Sequence, residues 1–212
     1  NYYVIGLKWQ SGHLVYQGAW SCPMGNGGEC CMVSSGDVNN DGHIEIIADV
    51  SRDFSWTYGT WALKWNANTS SFTGVQVWSD YGSNIVYGNA VGDINGDGIP
   101  EIGIGSGRGG GTPSAWLLQW NGSAYKKVWS MSWPAGEPII ESVDIGDAYN
   151  DGHNVFCVGG GPVHVIGWNG SGYVVKATFT EATGMEAGMN IGDFDSDGRN
   201  ELKACEILSS TG

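Results

Sequence analysis

Basic residues are scarce in this sequence. It holds 9 Lys and Arg against 22 Asp and Glu, and its formal net charge is −13. Without a basic cluster to neutralise phosphate groups, the chain is not expected to bind nucleic acid. Apolar runs are short as well, and none approaches the roughly 18 residues of a membrane-spanning helix. We therefore expect neither nucleic acid nor a membrane span.

Motifs of catalysis and of thiol chemistry are missing too. The five cysteines include no C-x-x-C pair, which disfavours a zinc site or a thioredoxin-like centre. No nucleophile elbow, phosphate-binding loop or separate carboxylate pair occurs, so we do not expect an enzyme. A disulfide from Cys22 to Cys30 or Cys31 would close a glycine-rich loop, and the odd number of cysteines leaves at least one thiol outside such pairing.

What the chain has instead is one acidic motif in four copies. Its pattern is D-x-[N/D]-x-D-G-x-x-E, nine residues long and preceded by glycine. We number its positions 1 to 9 and its copies loop 1 (37–45), loop 2 (93–101), loop 3 (147–155) and loop 4 (193–201). Loop 3 keeps the frame, but Tyr149 at position 3 and Val155 at position 9 replace two ligand-type side chains.

The spacing of the acidic motif suits a hard cation. Oxygens at positions 1, 3 and 5 of a tight loop converge, glycine at position 6 permits the bend, and a carbonyl at position 7 and a carboxylate at position 9 would close the shell. Ca²⁺ accepts about six to eight oxygens in flexible geometry, and strand-like residues follow each loop, unlike the helix–loop–helix site. The alternative is a polar turn without an ion. Of the 22 acidic residues 12 lie in these loops, so bound calcium would cancel much of the net charge.

A tryptophan turn recurs in step with the acidic loops. Trp9, Trp65, Trp120 and Trp168 each end one strand-like run and precede another, twice through Asn-Gly-Ser. Asn-Gly between alternating apolar segments predicts a hairpin with a type I′ turn, in which both central residues have positive φ. From turn Trp to the next loop Asp the steps are 28, 28, 27 and 25 residues. A unit of roughly 50 residues with about four short strands is typical of a propeller blade.

We therefore predict an all-β fold, a four-bladed β-propeller that forms a single domain over residues 1–212. The two chain ends carry complementary parts of one repeat, so we expect the N- and C-terminal strands to close the ring within one blade. The alternative is a fragment of a larger ring. The predicted blades are 45–50, 61–65, 72–78 and 85–91; 101–104, 114–120, 125–131 and 139–143; 155–158, 163–168, 173–179 and 188–191; and a closing blade of 201–208, 3–9, 14–20 and 31–34.

The repeats resemble FG-GAP (VCBS) repeats, which build the integrin α-subunit propeller, fungal propeller lectins and many secreted microbial proteins. The resemblance covers essentially the whole chain and rests on the D-x-[N/D]-x-D-G loops. It implies calcium held by the loops, although loop 3 and the low blade number depart from the family pattern. The ligands so implied are Asp37, Asn39, Asp41, His43 (backbone) and Glu45; Asp93, Asn95, Asp97, Ile99 (backbone) and Glu101; Asp193, Asp195, Asp197, Arg199 (backbone) and Glu201; and, in loop 3, Asp147, Asp151 and His153 (backbone).

Two arginines occupy equivalent places in their repeats. Arg52 and Arg108 each lie 15 residues after the first Asp of a loop, the former near Trp56. An arginine fork beside exposed aromatic rings suits a sugar or an anionic ligand, and the alternative is a solvated loop with structural aromatics. Candidate glycosylation sites of the Asn-x-Ser/Thr type are Asn68, Asn121 and Asn169.

These observations favour a secreted, lectin-like or adhesive recognition module for a glycan or an extracellular protein, with three calcium sites in the intact loops. An extracellular location is expected because weak calcium sites fill there. A first alternative is a structural subunit of an extracellular lattice or filament that assembles by self-association. A second is a calcium-dependent polysaccharide lyase. Family members recognise proteins or sugars more often than they catalyse, but fold alone does not decide function.

Overall fold

A computed structural model describes residues 3–21, 28–52, 57–79, 85–108, 112–133, 140, 142–160, 162–180 and 185–207. All regular elements in these ranges are β-strands. None of the described residues forms a helix long and apolar enough to cross a membrane. The strands are β1 (Tyr3–Gln10), β2 (His13–Ser21), β3 (Gly28–Gly36), β4 (Glu45–Arg52), β5 (Thr57–Asn66), β6 (Ser71–Trp78), β7 (Ile85–Gly92), β8 (Glu101–Arg108), β9 (Ser114–Trp120), β10 (Tyr125–Ser132), β11 (Ser142–Gly146), β12 (Val155–Gly159), β13 (Val163–Trp168), β14 (Tyr173–Phe179), β15 (Met185–Gly192) and β16 (Glu201–Ile207).

The strands assemble into antiparallel sheets in chain order. Three sheets have four strands each, namely β3–β6, β7–β10 and β11–β14, while β1–β2 and β15–β16 form two hairpins. The first strands of successive sheets are neighbours, β3 beside β7, β7 beside β11 and β11 beside β15. Four-stranded sheets placed side by side through their first strands are the arrangement of propeller blades. The all-β, propeller-like prediction is confirmed.

The predicted grouping of strands into blades was wrong by one strand. Each acidic loop joins the first and second strands of one sheet, as in the pairing of Gly36 with Glu45 and of Gly92 with Glu101. The tight loop folds the chain back on itself, so the strands before and after it pair. Residues 85–91 therefore begin the second sheet, and 31–34 lie in β3 of the first sheet and not in a closing blade. The described strands do not show ring closure, since β1 pairs with β2, β16 pairs with β15, and the two hairpins form separate sheets. Ring closure therefore stays a prediction.

The tryptophan turns form hairpins, but most are not of the predicted type. Between β9 and β10 only Gly122 has positive φ, at 92°, and Asn121 does not. The Asn121 side-chain oxygen instead accepts hydrogen bonds from the Ser123 amide at 3.1 Å and from the Ser123 hydroxyl at 3.0 Å. Such an Asx turn replaces backbone bonds of a tighter hairpin. The two-residue turn Ser11–Gly12, with φ of 51° and 87°, does have positive φ at both positions.

The core lies between neighbouring sheets. Buried Ile47 of β4 packs with Ile104 of β8 in one cluster, and Leu117 of β9 packs with Phe156 of β12 in the next. At Gly103 a Cβ would lie only 2.5 Å from Phe156 Cε2, so the close approach of the second and third sheets requires glycine there. Through contacts of this kind each sheet packs its face against the face of the next sheet.

One buried carboxylate joins the first two sheets. Asp49 on β4 accepts hydrogen bonds from Thr60 Oγ1 and from Asn89 Nδ2, both at 2.6 Å. Asn89, on β7, also donates to the Met32 carbonyl at 3.2 Å and accepts from Ser34 Oγ. Burial raises the pKa of Asp49 to about 6, against the effect of its two hydrogen bonds.

Candidate metal centre

All four acidic loops share one backbone conformation. The glycine at position 6 has φ between 83° and 90°, and position 4 also has positive φ, between 55° and 75°. Only glycine adopts this region without cost, which explains the invariant sequence at position 6. Loop 3 has the same conformation as the intact loops. The residues are Asn40 and Gly42, Gly96 and Gly98, Asn150 and Gly152, and Ser196 and Gly198.

The aspartate at position 1 is the centre of each loop. Asp37 accepts a hydrogen bond from the Gly42 amide at 2.8 Å, and Asp193 accepts one from the Gly198 amide at 2.9 Å. Loops 2 and 3 contain the same bond, at 2.9 and 2.8 Å. A carboxylate oxygen that accepts one amide still has a lone pair for a cation. The loops thus hold their first acid in place before any ion binds.

Loop 4 brings its acids together most completely. Asp193, Asp195, Asp197 and Glu201 each place one carboxylate oxygen within 4.8 Å of the others. Four carboxylates this close repel one another unless a cation lies between them. Their oxygens are the donors that hard cations prefer, so this group could hold a metal ion.

Loop 1 contains a buried carboxylate oxygen without a well-formed hydrogen bond. Glu45 is only 2% exposed, and its Oε2 makes no hydrogen bond of good geometry, although the carboxylate faces the Val38 backbone amide. Its Oε1 is 3.4 Å from Asn39 Nδ2, at position 3 of the same loop. Burial, and then the charges of Asp41 and Asp37, raise the pKa of Glu45. A cation in the loop would satisfy this acceptor and remove the repulsion.

In loop 2 the equivalent glutamate is fully bonded. Glu101 Oε2 accepts from the Ile94 amide at 2.7 Å, and Oε1 accepts from Gln119 Nε2 at 2.8 Å and Tyr173 Oη at 2.7 Å. Burial is the main cause that raises the pKa of Glu101 to about 7. Tyr173 belongs to β14 of the third sheet, so this ligand position also joins two sheets.

Loop 3 keeps the backbone turn of the other loops but lacks two of the side chains that would coordinate an ion. Asp147 and Asp151 hold the backbone as in the other loops, with Asp151 accepting from the His153 amide at 3.0 Å. Tyr149 is exposed and Val155 is buried, and neither supplies a side-chain oxygen comparable to the acids of loop 4. The space beside this loop is a cavity of about 390 Å³ lined by Tyr149, Asp151, His153 and Trp168 among others.

Hydrogen bonds connect successive loops across the sheets. Asn154 Nδ2 donates to the Asp93 carbonyl and Asn200 Nδ2 donates to the Asp147 carbonyl, each at 3.0 Å. Asn150 and Asn200 also bond each other, with the Asn200 amide 2.6 Å from Asn150 Oδ1. Loops 2, 3 and 4 therefore form one connected edge of the molecule.

The two predicted arginines lie apart from this edge. Arg52 and Arg108 are the last residues of β4 and β8, so they occupy equivalent places at the strand ends opposite the acidic loops. Trp56 lies outside the described residues, as do Cys22 and the side chains of Cys30 and Cys31. The candidate glycosylation sites stay predictions, and Asn68, Asn121 and Asn169 are all exposed.

Sequence reasoning missed the side chains that reach the loops from neighbouring strands. Lys64 Nζ donates to Asp41 Oδ2, and Gln119 Nε2 donates to Asp97 Oδ2 at 2.9 Å. Both residues stand directly before a turn tryptophan. The signal was present in the sequence, because this position moves in step with the acidic loops.

Comparisons with known proteins identify the fold. No protein-family model matches the chain, and no curated protein matches it either. Among solved structures it is similar to a rhamnogalacturonan lyase of Bacillus licheniformis, with 16% identity, a TM-score of 0.59, and coverage of 82% of this chain and 39% of that one. It is also similar to the exo-type rhamnogalacturonan lyase YesX, with 17% identity, a TM-score of 0.55, and coverage of 82% of this chain and 38% of that one. The Dos1 propeller has 11% identity and a TM-score of 0.54, with coverage of 97% of this chain and 59% of that one. The chain spans less than two thirds of each of these proteins, and at such identities the likeness shows a propeller-like fold alone.

The difference between loops 2 and 3 leads to a test by mutation. Asp97→Ala removes position 5 of a complete loop, whereas Asp151→Ala removes the same position from a loop that has already lost positions 3 and 9. We expect Asp97→Ala to lower the number of calcium ions bound per chain by one and Asp151→Ala to leave it unchanged. Isothermal titration calorimetry measures both numbers. Equal losses in the two variants would show that loop 3 is a working site.

Proposed function

We propose that this chain is a calcium-stabilised β-propeller that acts outside the cell as a recognition module for a glycan or an extracellular protein. The observation that carries the proposal is the repetition of one acidic loop, with one backbone conformation, at the same end of successive sheets. Side-chain oxygens dominate the donor set, which suits Ca²⁺ better than softer metals. Loops 1, 2 and 4 would hold the ions.

Calcium would act as a structural cross-link in this scheme. Position 1 follows the first strand of a sheet and position 9 begins the second, so one ion ties two strands together. Tyr173 of the third sheet donates a hydrogen bond to Glu101 of loop 2. An ion that fixes Glu101 would therefore also hold the second and third sheets together. A rigid edge of this kind would leave the opposite ends of the strands free to present a binding surface.

Arg52 and Arg108 mark that opposite surface. They stand at equivalent ends of β4 and β8, and a planar guanidinium suits carboxylates or sugar hydroxyls. We expect binding in a glycan array at millimolar calcium, and loss of that binding in the double variant Arg52→Ala/Arg108→Ala. Lys127→Gln serves as a charge control, since Lys127 lies over the Trp78 ring, 5.8 Å from its centroid, on the outer strand β10. Unchanged binding by the arginine variant would contradict this surface.

A second candidate function is a calcium-dependent polysaccharide lyase. The observation in its favour is the likeness to two proteins named as rhamnogalacturonan lyases. In β-elimination from a uronic acid polymer a general base removes the proton beside the carboxylate. The product has a double bond conjugated to that carboxylate and absorbs in the ultraviolet. Calcium-dependent growth of this absorbance on rhamnogalacturonan would favour the lyase, and binding without it would favour the recognition module.

We also propose that the ring is closed with four blades, by pairing of β16 with β1. Apolar side chains are exposed on β1 and on β14, among them Ile5 at 56%, Leu7 at 51% and Phe179 at 48%. Closure would cover both surfaces and remove two free strand edges. Protection of the β1 amides from hydrogen exchange in a monomer of verified mass would support closure. Protection only in an assembled form would favour the lattice alternative, and the lack of protection would contradict both.

A further inference from the structure

Loops 1 and 2 share one sequence pattern, but different side chains reach them from the neighbouring strand. We define the pre-tryptophan residue as the one directly before the turn tryptophan, which is Lys64 in the first sheet and Gln119 in the second. Strand β4 pairs with β5, and β8 with β9, in antiparallel register. That register makes Lys64 the cross-strand neighbour of Glu45 and Gln119 the cross-strand neighbour of Glu101. Each pre-tryptophan side chain therefore points along its sheet to position 9 of its own loop.

In the first sheet the pre-tryptophan residue brings a positive charge into the loop. The Lys64 ammonium bonds Asp41, the acid at position 5. The Lys64 side chain is 40% exposed and that of Asp41 is 37% exposed, so the ammonium can leave for solvent. The buried Glu45 Oε2 of the same loop makes no hydrogen bond of good geometry. Lys64 thus neutralises loop 1 only in part and leaves an acceptor that a divalent ion would use.

In the second sheet the same place holds a neutral amide. Gln119 Nε2 bonds Asp97 Oδ2 at 2.9 Å, the Ile99 carbonyl at 3.0 Å and Glu101 Oε1 at 2.8 Å. These oxygens are positions 5, 7 and 9 of loop 2, which are three of the five ligand positions of the motif. Gln119 Nε2 therefore contacts three of the oxygens that would coordinate the ion. Rotation of the Gln119 amide by half a turn would direct its oxygen toward a cation bound in the loop.

We propose that the pre-tryptophan residue sets the calcium affinity of its loop, with Lys64 acting as a tethered cation that competes with calcium for loop 1. Gln119 acts in the opposite sense, as a neutral group that can supply an oxygen to loop 2. Loop 1 is then the weaker site, and it fills only when calcium is abundant. This inference rests on the proposed calcium binding and deepens it, because it distinguishes between loops that the motif makes equivalent.

The third sheet agrees with this division of roles. Its pre-tryptophan residue is Gly167, which carries no side chain toward loop 3. The Lys176 chain from β14 fills that space instead, since a Cβ at Gly167 would meet Lys176 Cε at 2.6 Å. The loop that has lost two ligand positions is therefore also the one without a polar pre-tryptophan residue.

Reciprocal exchange of the two residues tests the proposal. Lys64→Gln gives loop 1 the residue of loop 2, and Gln119→Lys gives loop 2 the residue of loop 1. The Gly42 and Gly98 amides each bond position 1 of their own loop. Their resonances in a ¹H–¹⁵N spectrum therefore report the two loops separately during a calcium titration. The same spectra show whether each variant is folded.

We expect Lys64→Gln to tighten calcium binding at loop 1 on the order of tenfold, since removing a unit charge a few ångströms from a divalent ion has an effect of that size in a high dielectric. Gln119→Lys should weaken loop 2 by a similar factor, and each variant should leave the other loop unchanged. Lys127→Gln controls for the loss of one positive charge. It should leave the calcium affinities reported by the Gly42 and Gly98 amide resonances unchanged.

Three results would overturn the inference. Calcium binding at both loops with no change in Lys64→Gln would show that the lysine does not compete, and the calcium proposal would stand. Equal tightening in Lys64→Gln and Lys127→Gln would reduce the effect to net charge. No calcium-dependent movement of either glycine in any form of the protein would overturn calcium binding at loops 1 and 2 together with this inference.

Discussion

Removal of calcium is expected to cost this protein most of its stability. Binding to the native state alone stabilises it by about 2.7 kcal/mol per site when free calcium is a hundred times the dissociation constant. Three such sites would contribute about 8 kcal/mol, against a typical total of about 5–15 kcal/mol for a folded domain. For a chain of this length the melting temperature should fall by roughly 5–10 °C per emptied site. Thermal unfolding followed by circular dichroism, with and without EDTA, measures the effect.

The control for this experiment separates calcium from general salt effects. Magnesium at the same concentration should restore little of the loss, because it prefers a stricter octahedral shell and gives up water reluctantly. The variant Asp197→Ala removes one acid from loop 4, where four carboxylates converge. It should lower the melting temperature in calcium and have a smaller effect in EDTA. An unchanged melt after verified removal of all bound metal would overturn the structural role of calcium.

The expected loss is large because the loops are joined to more than their own hairpins. Asn154 and Asn200, at position 8 of loops 3 and 4, bond the position 1 carbonyls of the preceding loops. An emptied loop that rearranges would disturb its neighbour through these bonds. We therefore expect the calcium-dependent part of the unfolding free energy to be cooperative between loops 2 and 4, which these bonds join through loop 3.

The strands and the loops could be predicted from the sequence because both are local. An alternating apolar run defines a strand, and the glycine of D-x-[N/D]-x-D-G suits the positive φ that the loop requires at position 6. All four position 6 glycines have that φ. Loop 3 keeps the frame that the sequence indicated, since Asp147 still accepts from the Gly152 amide and Asp151 from the His153 amide.

What the sequence did not reveal depends on contacts between distant segments. Spacing alone counts strands per repeat but does not say which strand begins a sheet. The predicted strand 85–91 was therefore assigned to the first sheet, whereas it begins the second. The Lys64 and Gln119 contacts depend on cross-strand register, which is known only once β5 and β9 are paired. The Asp49–Asn89 bond joins residues 40 positions apart on two sheets.

That buried Asp49–Asn89 bond leads to a second large effect, this time on the pH dependence of stability. The ordinary pKa of Asp49 is 3.8, and burial raises it to about 6 in the folded protein. Below pH 3.8 the carboxyl is protonated in the folded and unfolded states alike, and ionisation costs nothing. Above pH 6 the unfolded chain ionises freely while the folded protein buries the charge. The free energy of unfolding should therefore fall by about 3 kcal/mol across this window through Asp49 alone.

The variant Asp49→Asn isolates this contribution. Asparagine can accept from Asn89 and donate to Thr60, whose hydroxyl serves as donor or acceptor, and it does not titrate. The difference in unfolding free energy between the variant and the wild type should shift in favour of the variant by about 2.4 kcal/mol between pH 4 and pH 7. Urea unfolding at a series of pH values, with calcium held saturating for both proteins, measures it. The acids of the loops titrate equally in both proteins and cancel in the difference. Parallel stability profiles for the two proteins would show that Asp49 has an ordinary pKa, and that Asn89 and Thr60 offset the full cost of burying its charge.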